Sequence, residues 1–141
     1  MRARHGEANF QLQTSCPGIG AQIHEQWLRR LLRHLVVNCV RANQDHAQLE
    51  ITIGTAIHNG KVEVWVEDNG HGIRPEIEHY LFHRPVPHAG VRRDERHGRG
   101  LLLVRHIVEL HNGKVWLKSN EVEKGACIAF TIPRVIGEET V

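Results

Sequence analysis

Hydrophobic and polar positions repeat with two different periods along this chain, and these periods predict its helices and strands. The clearest helix lies at residues 28–40, where apolar side chains recur at steps of three and four while most arginines fall off that stripe. Residues 49–57 and 62–66 alternate apolar and polar, which predicts two strands with one buried face each. The Asn59-Gly60 pair between them is typical of a hairpin turn, because it tolerates positive φ.

The rest of the pattern predicts shorter elements. They are a strand at 9–15, a short helix at 75–82 with Pro75 in its first turn, a loop at 83–99, a helix at 101–110, and strands at 114–118 and 126–132, joined around 121–125 and ended by Pro133. Half-buried strand faces need helices to cover them. This order therefore predicts an α+β two-layer sandwich, in one domain over residues 1–141 with its core at about 8–133.

Composition narrows the choice of protein class. The 141 residues suit a single domain, and 18 basic against 16 acidic residues argue against wrapping nucleic acid, so no nucleic-acid partner is expected. No run approaches the roughly 20 apolar residues of a membrane span, and the N-terminus lacks the apolar core of a signal peptide. The three cysteines have no CxxC spacing, so we expect a cytoplasmic location.

A glycine-marked segment follows the second predicted strand of the hairpin. Residues 68–72 read Asp-Asn-Gly-His-Gly, and no partner strand follows, because the chain continues into a pattern typical of a helix start at residues 74–76. Two glycines two positions apart let the backbone approach a flat ligand closely. The Asp68 carboxylate is able to accept a hydrogen bond from an exocyclic amine such as that of adenine. The segment predicts either a tight turn or a purine site.

A second glycine pair, Gly98 and Gly100, stands at the predicted start of the helix at 101–110. A helix N-terminus presents free N–H groups and the positive end of the helix dipole, which suit phosphate. The residues before it carry a net positive charge, from Arg84, Arg92, Arg93, Arg96 and Arg99 against Asp94 and Glu95. A solvated basic loop is the alternative to a phosphate site. The sequence contains no Walker motif, no GxGxxG motif and no HRD or DFG motif, which excludes those nucleotide-binding classes.

Four segments, in order, resemble the boxes of the ATP-binding catalytic domain of two-component sensor histidine kinases, within the GHKL ATPase family. The similarity covers about residues 22–133. Residues 31–42 (LLRHLVVNCVRA) resemble the N box, 66–73 (VEDNGHGI) the first glycine box, 80–82 the F box and 98–104 (GRGLLLV) the second glycine box. The resemblance implies the Bergerat fold, in which a mixed, mostly antiparallel sheet carries its helices on one face.

The resemblance also implies roles for individual residues. Asp68 is implied to bind the adenine amino group, and Asn38 to ligate Mg²⁺ through its amide oxygen, a hard donor suited to that ion. His34 lies one helical turn before Asn38 and is implied to lie near Mg²⁺ or the phosphates. The other implied nucleotide-binding positions are Arg41 on the phosphate side, Gly70, Gly72 and Ile73 at the adenine pocket, Arg96 in a lid that spans 83–97, Gly98 and Gly100 at the hinge of that lid, and Arg99 and Leu101 in the same glycine box.

Two positions depart from the family pattern. Leu102 stands where the family usually has glycine, and we expect ATP binding to survive there with altered affinity. The substitution Leu102→Gly is expected to tighten or restore ATP binding. His34 stands where hydrolytic members carry a glutamate that activates water. The missing carboxylate favours phosphoryl transfer over steady ATP hydrolysis.

The implied function is that of a protein histidine kinase, which transfers the γ-phosphoryl of Mg-ATP to a histidine on a helical dimerisation domain. A response-regulator receiver domain is the implied next partner. His24-Glu25 imitates the start of a phosphoacceptor motif, but Arg29 replaces its proline. We therefore expect the acceptor histidine to lie elsewhere, either on a separate partner or in a longer chain of which this is an excised module.

Further expectations follow from the same resemblance. The full-length kinase is expected to be a homodimer, cytoplasmic or membrane-anchored, and the isolated domain a monomer. Two alternative functions stay open at this point. One is a regulatory nucleotide-binding module without catalysis, for which Leu102 is the motivating feature. The other is an anti-sigma-factor-type serine kinase of the same family.

Overall fold

The computed structural model describes residues 8–14, 23–83 and 100–134. In chain order the elements are β1 (Ala8–Thr14), α1 (Glu25–Ala42), β2 (Leu49–His58), β3 (Lys61–Asp68), α2 (Pro75–Glu78), α3 (Gly100–Leu110), β4 (Val115–Glu121) and β5 (Gly125–Pro133). This order of strands and helices is the one that the hydrophobic periodicity predicts, with ends displaced by a few residues. Most of the predicted loop at 83–99 lies outside the described residues.

The five strands form one mixed sheet in the order β1-β2-β3-β5-β4. β1 pairs with β2 in parallel, and the other three pairings are antiparallel. The parallel pairing follows from the connection, because α1 carries the chain back across the sheet between β1 and β2. The predicted mixed, mostly antiparallel sheet is confirmed.

α1 and α3 pack against each other and cover one face of this sheet. Their buried side chains recur at helical spacing, which explains why these two segments form amphipathic helices. The core formed between the layers contains Leu31, Leu35, Val36 and Cys39 of α1, Leu101, Val104, Ile107 and Val108 of α3, Val62, Val64 and Val66 of β3, and Ile128, Phe130 and Ile132 of β5. Full burial of each large apolar side chain contributes about 1.5–3 kcal/mol, so the predicted two-layer sandwich is held mainly by this interface.

Local sequence signals set several element ends. Asn59 and Gly60 have φ of 52° and 73°, which is the two-residue hairpin turn that the Asn-Gly pair predicts between β2 and β3. His24 caps α1, because its Nδ1 accepts a hydrogen bond from the backbone N–H of Gln26 at 3.2 Å. His24 thus stands at the entry to the long helix.

The short helix ends well before its predicted end. Pro75 occupies its first turn as predicted, but α2 ends at Glu78 rather than at residue 82. The backbone continues in tight turns, with Tyr80 N donating to Ile77 O and His83 N donating to Tyr80 O. Among the residues described, no helix combines the length and the apolar character needed to cross a bilayer.

Candidate functional site

A crevice opens between the C-terminal half of α1, the end of β3 and the chain that follows β3. Its walls are mostly apolar, which is typical of small-molecule sites with few polar anchors. The lining residues are Leu35, Asn38, Cys39, Ala42, Asn43, Val66, Asp68, Gly72, Ile73, Ala126 and Ile128. The fold thus brings together four residues that the sequence singled out, namely Asn38, Asp68, Gly72 and Ile73.

Asp68 is the last residue of β3 and the only carboxylate among these lining residues. Its Oδ1 accepts a hydrogen bond from the backbone N–H of Gly70 at 2.8 Å, so the carboxylate caps the turn that leaves the strand. Its Oδ2 accepts from the Cys39 thiol, with an Sγ–Oδ2 distance of 3.4 Å. Both oxygens are therefore held in place, one by the chain after β3 and one by α1.

Asn43, which the sequence analysis missed, joins the end of α1 to the glycine segment. The residue is 5% exposed, and its Nδ2 donates to the Cys39 carbonyl at 2.8 Å. Its Oδ1 accepts from the backbone N–H of His71, also at 2.8 Å. A Cβ on Gly70 would lie 2.2 Å from this Oδ1, so only glycine leaves room for the amide. Asn is frequent where a helix ends, but nothing in the sequence pairs Asn43 with residues 70–71.

Gly72 turns the chain into the crevice wall. Its φ is +76°, and a Cβ there would lie 2.6 Å from the backbone oxygen of Glu121. The turn lies close to β4, and Ile73 follows it on the crevice wall. The backbone N–H of Ile73 donates to Asn120 Oδ1 of β4 at 2.8 Å. Gly72 therefore shapes the wall directly, whereas Gly70 supports it from behind by packing on Asn43.

His34 lies where α1 faces the start of α3. Its Nδ1 is 3.8 Å from the position that a Cβ on Gly100 would take. Its Nε2 is buried and has no hydrogen-bond partner within the part of the chain that the structure describes. Burial, followed by the charges of Arg30 and Arg33, lowers the pKa of His34. The imidazole is therefore neutral at neutral pH, and it acts as a hydrogen-bonding group rather than as a charge.

The other predicted site residues differ in how far the structure describes them. Arg41 is half-buried in the last turn of α1, and the crevice walls formed by described residues do not include it. The side chain of Leu101 is buried in the core, which leaves only its backbone N–H for a ligand. Leu102, the next residue of α3, is half-buried and lies outside those walls. The predicted lid at 83–97, which includes Arg96, lies outside the described residues apart from His83, as do Gly98 and Arg99.

His71 bridges two carboxylates at the rim of this site. Its Nε2 lies 2.8 Å from Asp45 Oδ1, and its Nδ1 lies 3.1 Å from Glu123 Oε1. Hydrogen bonds to Glu123 and Asp45 raise the pKa of His71, and the bond to His71 lowers the pKa of Asp45. The ring of His46 meets the edge of the His71 ring, with 5.5 Å between centroids. This bridge joins the turn after α1 to the turn between β4 and β5.

The sheet, its two covering helices and the mostly apolar crevice with its one carboxylate define a class of α/β sandwich domains with a small-molecule site. The family described as "Histidine kinase-, DNA gyrase B-, and HSP90-like ATPase" matches residues 23–136, which is most of the chain. The chain therefore belongs to this family of ATPases. Membership in it makes this an ATP-binding domain.

Two relatives place the chain on the histidine-kinase branch. It is 31% identical, over 82% of its length, to the methanogenesis regulatory histidine kinase FilI of Methanothrix harundinacea. It is 34% identical, over 89% of its length, to the adaptive-response sensory kinase SasA of Synechococcus sp. (strain CC9902). These alignments cover only 14% of FilI and 33% of SasA, so the chain spans a small part of each relative.

A solved structure agrees with this placement. The catalytic domain of histidine kinase ThkA superposes with a TM-score of 0.72 and 25% identity, covering 90% of this chain and 80% of that one. The chain is thus a catalytic domain of the histidine-kinase type. These similarities support the predicted histidine-kinase interpretation rather than the regulatory-module or serine-kinase alternatives.

Proposed function

We propose that this domain binds Mg-ATP in the crevice and transfers the γ-phosphoryl group to a histidine on a helical dimerisation domain. From there the phosphoryl group passes to an aspartate of a response-regulator receiver domain. The observation that carries the proposal is that Asp68 and Asn38 line one crevice, although they come from different elements and lie far apart in the sequence. A carboxylate and an amide on facing walls suit the two ends of a magnesium nucleotide.

Asp68 is the proposed adenine contact. Each carboxylate oxygen is able to accept two hydrogen bonds, and each oxygen of Asp68 receives one from the protein. No further donor among the described residues reaches Asp68, so each oxygen keeps a lone pair for the exocyclic amine of adenine. Guanine carries a carbonyl oxygen at that ring position, which repels the carboxylate. The apolar side chains of Val66, Ile73 and Ile128 then enclose the base, so we expect the site to favour ATP over GTP.

Asn38 is the proposed magnesium ligand. It is half-buried on the crevice wall, and its side-chain amide has no hydrogen-bond partner among the described residues. Mg²⁺ is bound by few protein oxygens, because substrate phosphates and water supply most of its octahedral shell, and one amide oxygen fits that requirement. When bound, the ion supplies charge neutralisation on the phosphates.

His34 and the start of α3 are the proposed phosphate end of the site. Gly100 begins α3, and the free backbone N–H groups of its first turn suit an anion. The neutral His34 imidazole beside it donates or accepts a hydrogen bond without adding charge. It provides no carboxylate to activate water, which supports transfer rather than hydrolysis. The further proposed phosphate contacts are Arg41, Arg96 of the predicted lid, and Gly98 and Arg99 just after it.

Calorimetric titration with Mg-ATP and Mg-GTP tests the nucleotide site. We expect the wild type to prefer ATP, and Asp68→Ala to lower ATP affinity by about tenfold or more, since hydrogen bonds to charged groups contribute about 1.5–3 kcal/mol. The matched control is Glu76→Ala, which removes an exposed carboxylate outside the crevice and should leave affinity unchanged. An Asp68→Ala variant that binds ATP as the control does would reject the adenine contact.

A labelling experiment tests the transfer step. The domain is mixed with its cognate histidine-bearing helical domain and γ-labelled Mg-ATP. An acid-labile phosphoprotein on that partner, with no label on the domain itself, is the expected result. An acid-stable product would indicate a serine kinase instead, and nucleotide binding without any labelling would contradict the proposed transfer.

A further inference from the structure

We propose that Cys39 is a positioning residue of the adenine site, whose thiol holds the Asp68 carboxylate in the orientation that selects an exocyclic amine. This inference rests on the proposed ATP site and assigns a role to a second α1 residue next to Asn38. Cys39 would act only through Asp68.

The geometry makes the Cys39 thiol the donor. Cys39 is 6% exposed, lines the crevice, and places Sγ 3.4 Å from Asp68 Oδ2. An ionised carboxylate only accepts hydrogen bonds, so the S–H group is the donor across this distance. A buried thiol that faces a carboxylate is a poor nucleophile, so the role of Cys39 is one of hydrogen bonding rather than covalent chemistry.

Two donors fix the Asp68 carboxylate more tightly than one. The torsion that rotates a carboxylate plane is broad when nothing restrains it. Gly70 N–H holds Oδ1 and the Cys39 thiol holds Oδ2, so the plane is pinned from both sides. Removing the Cys39 thiol leaves Gly70 as the one donor to this carboxylate among the described residues. An acceptor that is already oriented loses less freedom on binding, which raises its affinity for a matching donor.

Cys39 is itself held in place by the network that builds the glycine segment. Its carbonyl accepts from Asn43 Nδ2, and the same Asn43 amide receives the backbone N–H of His71. The backbone at position 39 is thus fixed independently of the thiol. Alanine has a high helix propensity and lacks only the sulfur, so Cys39→Ala is expected to fold and to remove the donor selectively.

The test compares two nucleotides that differ in the amine alone. Mg-ATP and the Mg complex of purine riboside triphosphate, which lacks the exocyclic amine, are titrated into wild type, Cys39→Ala and Cys39→Ser. We expect Cys39→Ala to weaken ATP binding by about three- to tenfold while the amine-free nucleotide changes by less than about twofold. Cys39→Ser retains a donor and is expected to restore most of the preference for the amine.

The control is the other buried cysteine that the structure describes. Cys127 lies on β5 and does not line the crevice, so Cys127→Ala should leave the ratio of the two affinities unchanged. If Cys39→Ala lowers the affinities for both nucleotides by the same factor, Cys39 has a purely structural role and the inference is overturned. An unchanged ATP affinity in Cys39→Ala would overturn it as well. If instead wild type and Asp68→Ala bind ATP equally, the proposed ATP site itself fails. The two failures are therefore distinguishable.

Discussion

The side-chain amide of Asn120 holds both backbone groups of Ile73. Oδ1 accepts from the Ile73 N–H at 2.8 Å, and Nδ2 donates to the Ile73 carbonyl at 2.7 Å. The same Nδ2 also lies 3.0 Å from Glu78 Oε1, at the end of α2. These bonds imitate strand pairing between β4 and a segment that belongs to no strand. A wall of the crevice is thereby attached to the sheet.

Replacing Asn120 with Ala is expected to lower the free energy of unfolding by about 1–3 kcal/mol, because both backbone groups of Ile73 lose their partners. ATP affinity should fall as well, since Ile73 lines the crevice. Urea unfolding and calorimetry measure the two effects. Ser119→Ala, an exposed neighbour on β4, is the control and should stay within about 0.5 kcal/mol of wild type. Equal stability of the two variants would contradict the role given to Asn120.

Replacing Asn38 with Ala should abolish phosphoryl transfer more completely than it weakens nucleotide binding. The reason is that the amide oxygen is proposed to serve the metal, whereas Asp68 and the apolar walls serve the base. Asn38→Asp keeps an oxygen ligand and is expected to retain part of the Mg²⁺-dependent activity. Labelling rates and calorimetric affinities, each measured across a Mg²⁺ series, check both statements. Unchanged transfer in Asn38→Ala would reject the metal assignment.

Gly72→Ala should destabilise the protein more than Gly60→Ala does. Both glycines have similar positive φ, +76° and +73°, so alanine meets the same backbone strain at either position. Only at Gly72 does the new Cβ also meet a backbone atom, the Glu121 oxygen at 2.6 Å, whereas nothing lies within 4 Å at Gly60. Gly60→Ala is therefore the matched control in thermal or urea unfolding. If the two variants lose equal stability, the close approach of Gly72 to β4 is not a constraint.

The His71 bridge should give the stability of this region a defined pH dependence. The pKa of His71 is raised in the folded protein. The contribution of His71 to the free energy of unfolding is therefore complete below the ordinary pKa of histidine, and it is lost as the pH rises through the raised pKa of the folded state. The pKa of Asp45 is lowered in the folded protein. The ionised Asp45 carboxylate therefore still stabilises the bridge in mild acid, and its contribution is lost only as the pH falls through that lowered pKa. The bridge is strongest between these limits.

His71→Gln, which cannot carry a charge, tests this dependence. The difference in free energy of unfolding between wild type and His71→Gln is expected to be larger at about pH 6 than at about pH 8.5. His79, an exposed histidine after α2, has no ion pair among the described residues and supplies the control His79→Gln. A difference that does not change with pH for His71→Gln would show that the bridge carries no proton-linked stability.

The order of helices and strands could be predicted from the sequence, because an element that buries one face carries its apolar residues at a regular spacing. A few consecutive residues are enough to show each of the patterns used: the apolar stripe of α1, the alternation in β2 and β3, and the Asn59-Gly60 turn. The length of α2 was not accessible, because weak periodicity at residues 75–82 does not distinguish a helix from successive turns. At the site, Asp68 and Gly72 were found because their residue types and spacing suit a purine, whereas Asn38 and Ile73 were found through the resemblance to the histidine-kinase boxes.

Asn43, Asn120 and Cys39 were missed for a different reason. Each of them contacts a residue that is distant in the sequence. The residues around an isolated polar or sulfur side chain form no pattern from which its partner could be predicted. The sequence by itself determined which segments are helices and strands, since these depend on short-range period. Its glycine-marked segment and its resemblance to the histidine-kinase boxes indicated the side chains to which the chemistry is proposed. Only the tertiary structure decided how the Asp68 carboxylate is oriented and what supports the crevice wall, because those hydrogen bonds exist only once the sheet and α1 have packed together.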